Sequence, residues 1–191
     1  MDKLIIIEGN DNSGKDTLIN NLREHYSDKS IDIFHCTKPT SKNNLNVRNE
    51  QNIAFRRLAN KSVFSDKDIV IHNRSWYGEY VYGVKYRERK PEDVIKCNNQ
   101  YEKMIEDISD KTYYIQLISD PKILSENEDG KSLSEGDIDK IKDEIKAFKE
   151  VFKHSTLKNK KIINVTKKGE WKSKEDILKE VLNFIENDEK I

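Results

Sequence analysis

Between residues 4 and 17 the chain reads LIIIEGNDNSGKDT: an apolar run breaks at Gly9, four residues lead to Gly14, and Lys15 follows at once. Glycines placed this way adopt backbone conformations closed to other residues, so successive N–H groups turn inward and cradle anionic oxygen. A helix opening near Lys15 adds the positive end of its dipole, and the Lys15 ammonium reaches the outer phosphates of a chain laid in the cradle. The motif's setting is present too. A buried-strand pattern precedes the loop, and Leu18, Ile19 and Leu22 continue it as a helix. Gly9, Asn12, Ser13, Gly14, Lys15, Asp16 and Thr17 are therefore the expected phosphate-binding residues of a P-loop. One position departs from the motif. Ser or Thr normally follows the lysine and binds Mg²⁺, and here the residue is Asp16. A carboxylate is a good Mg²⁺ ligand but carries negative charge toward the phosphates, so Asp16 and the Thr17 hydroxyl are both metal candidates.

A second cluster follows the run Asp68 to His72, which delivers Asn73, Arg74 and Ser75 to the same edge as the P-loop. An arginine there can grip a phosphate with two parallel hydrogen bonds, whether that phosphate is transferred or receives. The plainer alternative is that Arg74 caps a helix or pairs with Glu79. Trp76, Tyr77, Tyr80, Tyr82 and Tyr86 come next, and they read equally as a stacking platform for a base or as the inner face of a short helix.

The elements that position these residues alternate along the chain. Leu4 to Ile7, Ile31 to Cys36, Asp68 to His72, Thr112 to Ile118 and Lys161 to Val165 read as five buried strands. Helices lie between them. One surrounds Asn52 to Phe64 with Ile53, Leu58 and Phe64. Another opens at Pro91 and runs through Val94, Tyr101, Met104 and Ile108. Ile138, Ile141, Ile145, Phe148 and Phe152 form the clearest helical stripe. Ser173 with Asp176 reads as a capping box before Ile177, Leu178, Val181, Leu182 and Ile185. The expected fold is α/β: three layers, with a five-stranded, mainly parallel sheet flanked by helices in one domain over 1–191, and ligands beyond the carboxyl ends of the strands.

Composition narrows the function. Lys+Arg and Asp+Glu balance at 35 each in 191 residues, so no global basic field draws the chain onto nucleic acid or an anionic membrane. No apolar run approaches a membrane span, and the one at the N-terminus is too short for a signal peptide, which points to a cytoplasmic protein. Cys36 and Cys97 stand far apart without metal-site spacing and read as free thiols. His35 beside Cys36 reads as a strand end.

Four short stretches resemble the thymidylate kinase-like P-loop kinases, which border the deoxynucleoside kinases. Glu8-Gly9-Asn10-Asp11 is similar to the EGxD of the thymidylate kinase loop, whose Asp lies near the acceptor sugar. Thr37-Lys38-Pro39 resembles the segment that contacts the acceptor phosphate. Asn73-Arg74 matches an Asp-Arg pair, and Tyr82 falls where an aromatic residue lines the acceptor pocket. The resemblance implies an ATP- and Mg²⁺-dependent kinase for a deoxynucleoside monophosphate such as dTMP. The expected acceptor residues are Asp11, Lys38, Phe55, Arg56, Arg74 and Tyr82. Adenine is expected near Thr166 to Trp171, and a lid near 120–136. A homodimer is a further implication.

Where the family carries Asp, Ser or Thr, and Arg, this chain has Asn73, Asp16 and Lys38. The acid missing at Asn73 returns at Asp16. No arginine follows Arg89 and Asn12 occupies the P-loop position, so neither family arginine, in the loop or in the lid, is present. Spread negative charge in phosphoryl transfer must then meet Lys15 and Arg74, with Arg87, Arg89 or Lys131 as further cations. Glu8 is a candidate base toward a sugar hydroxyl. Three rivals stand beside this reading: a deoxynucleoside kinase using Glu8, a polynucleotide 5′-kinase, and a non-catalytic nucleotide-binding module.

Overall fold

In a computed structural model, which describes residues 1–39 and 44–187, five parallel strands form one sheet in the order β2-β3-β1-β4-β5. They are β1 (Lys3–Gly9), β2 (Ile31–His35), β3 (Ile69–Asn73), β4 (Thr112–Ile118) and β5 (Asn159–Asn164). All five fall where the apolar runs place them. Successive side chains of β1 enter opposite faces of the sheet. Leu4 and Ile6 join Val70, Trp76, Tyr114 and Phe148 on one face, and Ile5 and Ile7 join Ile71, Ile115 and Ile163 on the other. Because both faces are covered, the strand reads as continuous isoleucine rather than as alternation.

The first face is covered by α2 (Asn44–Val63), α3 (Gly78–Tyr86), α4 (Pro91–Met104) and α6 (Ile138–His154). The second packs against α1 (Lys15–His25) and α7 (Lys174–Asn187). Helix α6 is capped by Asp137, whose side chain accepts from the N–H of Asp139 and Lys140. It buries Ile141, Ile145, Phe148 and Val151 and leaves Ile138 39% exposed at its start. The Ser173 half of the capping box before α7 forms, with Ser173 Oγ accepting from Asp176 N at 3.0 Å. Helix α2 starts earlier than the apolar pattern implies, and Ile53 and Phe64 face solvent rather than core. Ile108 lies past the end of α4, in a 3-10 turn.

Short α5 (Pro121–Glu126) follows β4, and the segment read as a loop at 166–171 is a hairpin of β6 (Thr166–Lys167) and β7 (Glu170–Trp171). Strand β1 lies between β3 and β4, so the P-loop at its carboxyl end has one crevice toward β3 and β2 and another toward β4 and β5. Among the described residues, no helix is long and apolar enough to cross a membrane.

Candidate active site

The loop after β1 has its shape because two positions favour glycine. A Cβ on Gly9 would meet Ser13 Oγ at 2.6 Å and Leu117 O at 2.9 Å, so glycine lets the loop close against β4. Gly14, at the mouth of α1, takes φ 82°, in the left-handed region. No side chain caps α1, which leaves its first amides for an anion. Lys15 is only 6% exposed, and its ammonium donates to Gly9 O at 3.1 Å, to Asn10 O, and to Ser13 Oγ at 3.4 Å. Burial, then the charge of Arg74, lowers its pKa to about 7.

Asp16 and Thr17 stand on the first turn of α1, both exposed. Asn73 Nδ2 donates to Asp16 Oδ1 at 2.6 Å and contacts His35 Nδ1 at 3.0 Å. Among the described residues no three acids, histidines or cysteines gather around one point. Mg²⁺ in phosphoryl-transfer sites commonly takes one or two carboxylates and fills its shell with water and substrate phosphate. Asp16, steered by the Asn73 amide and beside the phosphate cradle, fits that role.

On the β3–β2 side lies a cavity of about 420 Å³. Asp11, Lys38, Phe55, Tyr82 and Arg87 are on its wall, and Arg57 lines it where Arg56 does not. Arg56 lies exposed on α2. Phe55 is 6% exposed and meets Tyr101 edge-on at 5.8 Å, so its ring also belongs to the core. Arg74, the residue after β3, takes φ 68°, in the left-handed region that is costly for a residue other than glycine. Its guanidinium pairs with Asp11, and Nη1 donates to Tyr82 Oη at 3.4 Å. The pairing with Glu79 does not form. Glu79 instead holds Arg87 at 2.9 Å and Arg89 at 3.2 Å, all but sealed from water.

The aromatic cluster divides. Trp76 and Tyr77 are fully buried, with Tyr77 stacked on Tyr114 at 4.2 Å, whereas Tyr82 reaches the cavity. Glu8 is completely buried. Its Oε1 accepts from Ser75 N at 2.7 Å and Ser75 Oγ at 2.8 Å, and Oε2 has no partner. Burial raises its pKa. Cys36 and Cys97 are free and half-buried, and burial together with the Glu8 charge pushes the Cys36 thiol up to about 12.

The segment 120–136 touches both sides of the site. Asn12 Nδ2 donates to Asn127 O at 3.0 Å, Lys38 Nζ donates to Lys131 O, and Leu133 is on the cavity wall. One further residue, Glu144, is marked by nothing in the sequence. Asn10 of the loop donates to Glu144 Oε2 of α6 at 2.8 Å, and Tyr86 donates to Glu144 Oε1 at 2.6 Å. Nothing local marks Glu144, whose partners lie on other elements.

The fold recurs in solved structures of low identity. Thymidylate kinase from Candida albicans superposes with a TM-score of 0.68 at 14% identity, over 98% of this chain and 92% of that one. The YorR protein from Bacillus subtilis, solved in complex with phosphorylated GDP, gives 0.68 at 19% identity over 99% of each chain. Polyphosphate kinase 2 from Arthrobacter aurescens TC1 gives 0.65 at 11% identity, over 99% of this chain and 68% of that one. No curated protein matches the chain. The likeness to thymidylate kinases is thus one of fold. The family model that does match describes polyphosphate kinase 2 and spans residues 2–121. That stretch carries β1, the P-loop, Lys15, the Asp16–Asn73 contact and Arg74. The match spans more than half of the chain, which therefore belongs to the polyphosphate kinase 2 family of P-loop kinases.

Proposed function

We propose that the protein transfers a phosphoryl group from a phosphoanhydride chain, inorganic polyphosphate first and ATP second, to the phosphate of a nucleotide, with dTMP as the leading acceptor. One observation carries this reading: Arg74 stands between the Lys15 loop and the cavity, held by Asp11 and Tyr82, which are both on the cavity wall.

The donor phosphates lie on the free amides of α1 with Lys15 over the outer ones. Mg²⁺ held by Asp16 would supply positive charge to the donor oxygens. Arg74 exchanges Asp11 for the phosphoryl group, so its two N–H donors tighten as charge spreads in the transition state. An acceptor phosphate oxygen forms the new P–O bond while the anhydride P–O bond breaks, and the leaving phosphate departs along the P-loop. An ionised acceptor oxygen has no proton to lose, so this transfer needs no base. The contacts of Asn12 and Lys38 with the 120–136 segment support its role as a lid that excludes water.

A second reading has its own support. The unpartnered, buried Oε2 of Glu8 is suited to take a proton from a sugar hydroxyl, as a nucleoside acceptor would require. A panel of nucleosides, monophosphates and diphosphates, incubated with Mg²⁺ and either polyphosphate or ATP and resolved by anion exchange, separates the two. Monophosphates converted to diphosphates at the expense of polyphosphate, and not by Lys15→Ala, is the expected result. Conversion of nucleosides alone favours Glu8 as base, and conversion with ATP alone overturns the donor assignment.

A further inference from the structure

Strand parity brings a histidine to the place where Asp16 stands. Ile31 and Ile33 of β2, and Ile69 and Ile71 of β3, pack on the sheet face that α1 covers, so His35 and Asn73 end their strands on that same face. The strands run parallel with His35 opposite Asn73, and Asp16 meets them from the first turn of α1. Cys36, the neighbour of His35 in sequence, packs on the other face and takes no part.

The Asn73 amide shows what this place accepts. Its nitrogen stands 2.6 Å from Asp16 Oδ1 and 3.0 Å from His35 Nδ1. An amide oxygen would be repelled by the carboxylate at that distance, so the nitrogen is the atom turned there, and an amide nitrogen only donates. Asp16 and His35 therefore both aim lone pairs at one point, a carboxylate oxygen and an imidazole nitrogen, and the N–H groups between them fill a spot built from two metal-ligand atoms. Turned about its last torsion, the same side chain offers Oδ1 to a cation as a third. His35 is exposed and lines the acceptor cavity, while Asp16 adjoins the phosphate cradle, so a cation held by both lies between donor and acceptor.

Ligand type selects the metal. Mg²⁺ takes oxygen, whereas an imidazole nitrogen suits first-row transition ions. We infer that His35 is a metal ligand beside Asp16, and that the site binds a divalent first-row transition ion in preference to Mg²⁺. The inference rests on the metal role given to Asp16 in the proposed function.

The test is titration of the full chain with Mn²⁺, with and without tripolyphosphate, followed by electron paramagnetic resonance, with electron spin echo modulation recorded on the bound ion. Directly coordinated imidazole nitrogen should modulate the wild-type echo and be absent in His35→Gln, an exposed change that leaves the fold intact. The variant should also lose about tenfold in Mn²⁺ affinity and much less in Mg²⁺ affinity measured by competition. A wild type that binds no Mn²⁺ under either condition, that binds it without nitrogen modulation, or whose modulation persists in His35→Gln overturns the inference. Phosphoryl transfer assayed in parallel keeps the two proposals apart: nitrogen-coordinated Mn²⁺ without transfer supports the metal site and overturns the proposed function, and transfer without nitrogen coordination does the reverse.

Discussion

The side-chain amide of Asn73, at the end of β3, donates to the carboxylate of Asp16, on the first turn of α1, at 2.6 Å. The loop acid Asp16 therefore lies within hydrogen-bond reach of the strand position where the thymidylate kinase-like pattern has an acid. If the two positions are interchangeable, Asp16→Ser should lower turnover by about tenfold or more and raise the Mg²⁺ requirement, as loss of the single carboxylate ligand would. Asn73→Asp alone sets two carboxylates against each other and should also impair the protein. The double variant should recover part of the loss. A double-mutant cycle on turnover across a Mg²⁺ titration measures the coupling, and additive effects would refute the exchange.

Lys15 makes donor binding a protonation event. With its pKa lowered from 10.5 to about 7 by burial and by Arg74, it is largely neutral at pH 8 until phosphate arrives. Calorimetry at pH 8 in buffers of different ionisation enthalpy should show proton uptake on donor binding, lost in Lys15→Met. The unfolded chain binds the extra proton between about 7 and 10.5, so this group makes the free protein more stable as pH rises through that window.

Arg74 allows function to be separated from strain. Arg74→Ala and Arg74→Gly should both lower turnover by several orders of magnitude, since each removes the cation on the transferring group. Only glycine is at ease at φ 68°, so the glycine variant should be the more stable of the two by about 1 kcal/mol. Equal melting temperatures would show that the φ here carries no strain. A rise in acceptor KM with unchanged turnover would make Arg74 a ground-state contact.

Gly83 is packed against the Glu79 carboxylate, and a methyl group there would run into it. Glu79 cannot swing aside without releasing Arg87 and Arg89, and breaking such buried pairs costs about 3–5 kcal/mol. Gly83→Ala should therefore lower the melting temperature by several degrees and, by freeing Arg87 on the cavity wall, weaken acceptor binding more than donor binding. Equal loss of both affinities would show Arg87 to be a structural residue only.

The strands and the P-loop were legible because both signals are local: runs of isoleucine bounded by polar residues, and a glycine spacing with one backbone solution. Arg74 was placed correctly by the strand before it. What escaped depends on distant partners. Glu79 gathers two arginines from beyond its own helix, and Glu144 meets a loop residue far away in sequence. Arg57, not Arg56, reaches the cavity because one residue turns a helix by about 100°, and the weak apolar pattern of α2 gave no register. The β6–β7 hairpin read as a loop because strands of two residues carry no periodicity.

The most direct test of the donor and acceptor together is ³¹P NMR of wild-type protein with Mg²⁺, long-chain polyphosphate and dTMP. Signals of a nucleoside diphosphate should grow as internal polyphosphate signal declines, and neither change should occur with Lys15→Ala. A polyphosphate spectrum that stays unchanged, in a sample that phosphorylates dTMP once ATP is added, would contradict it.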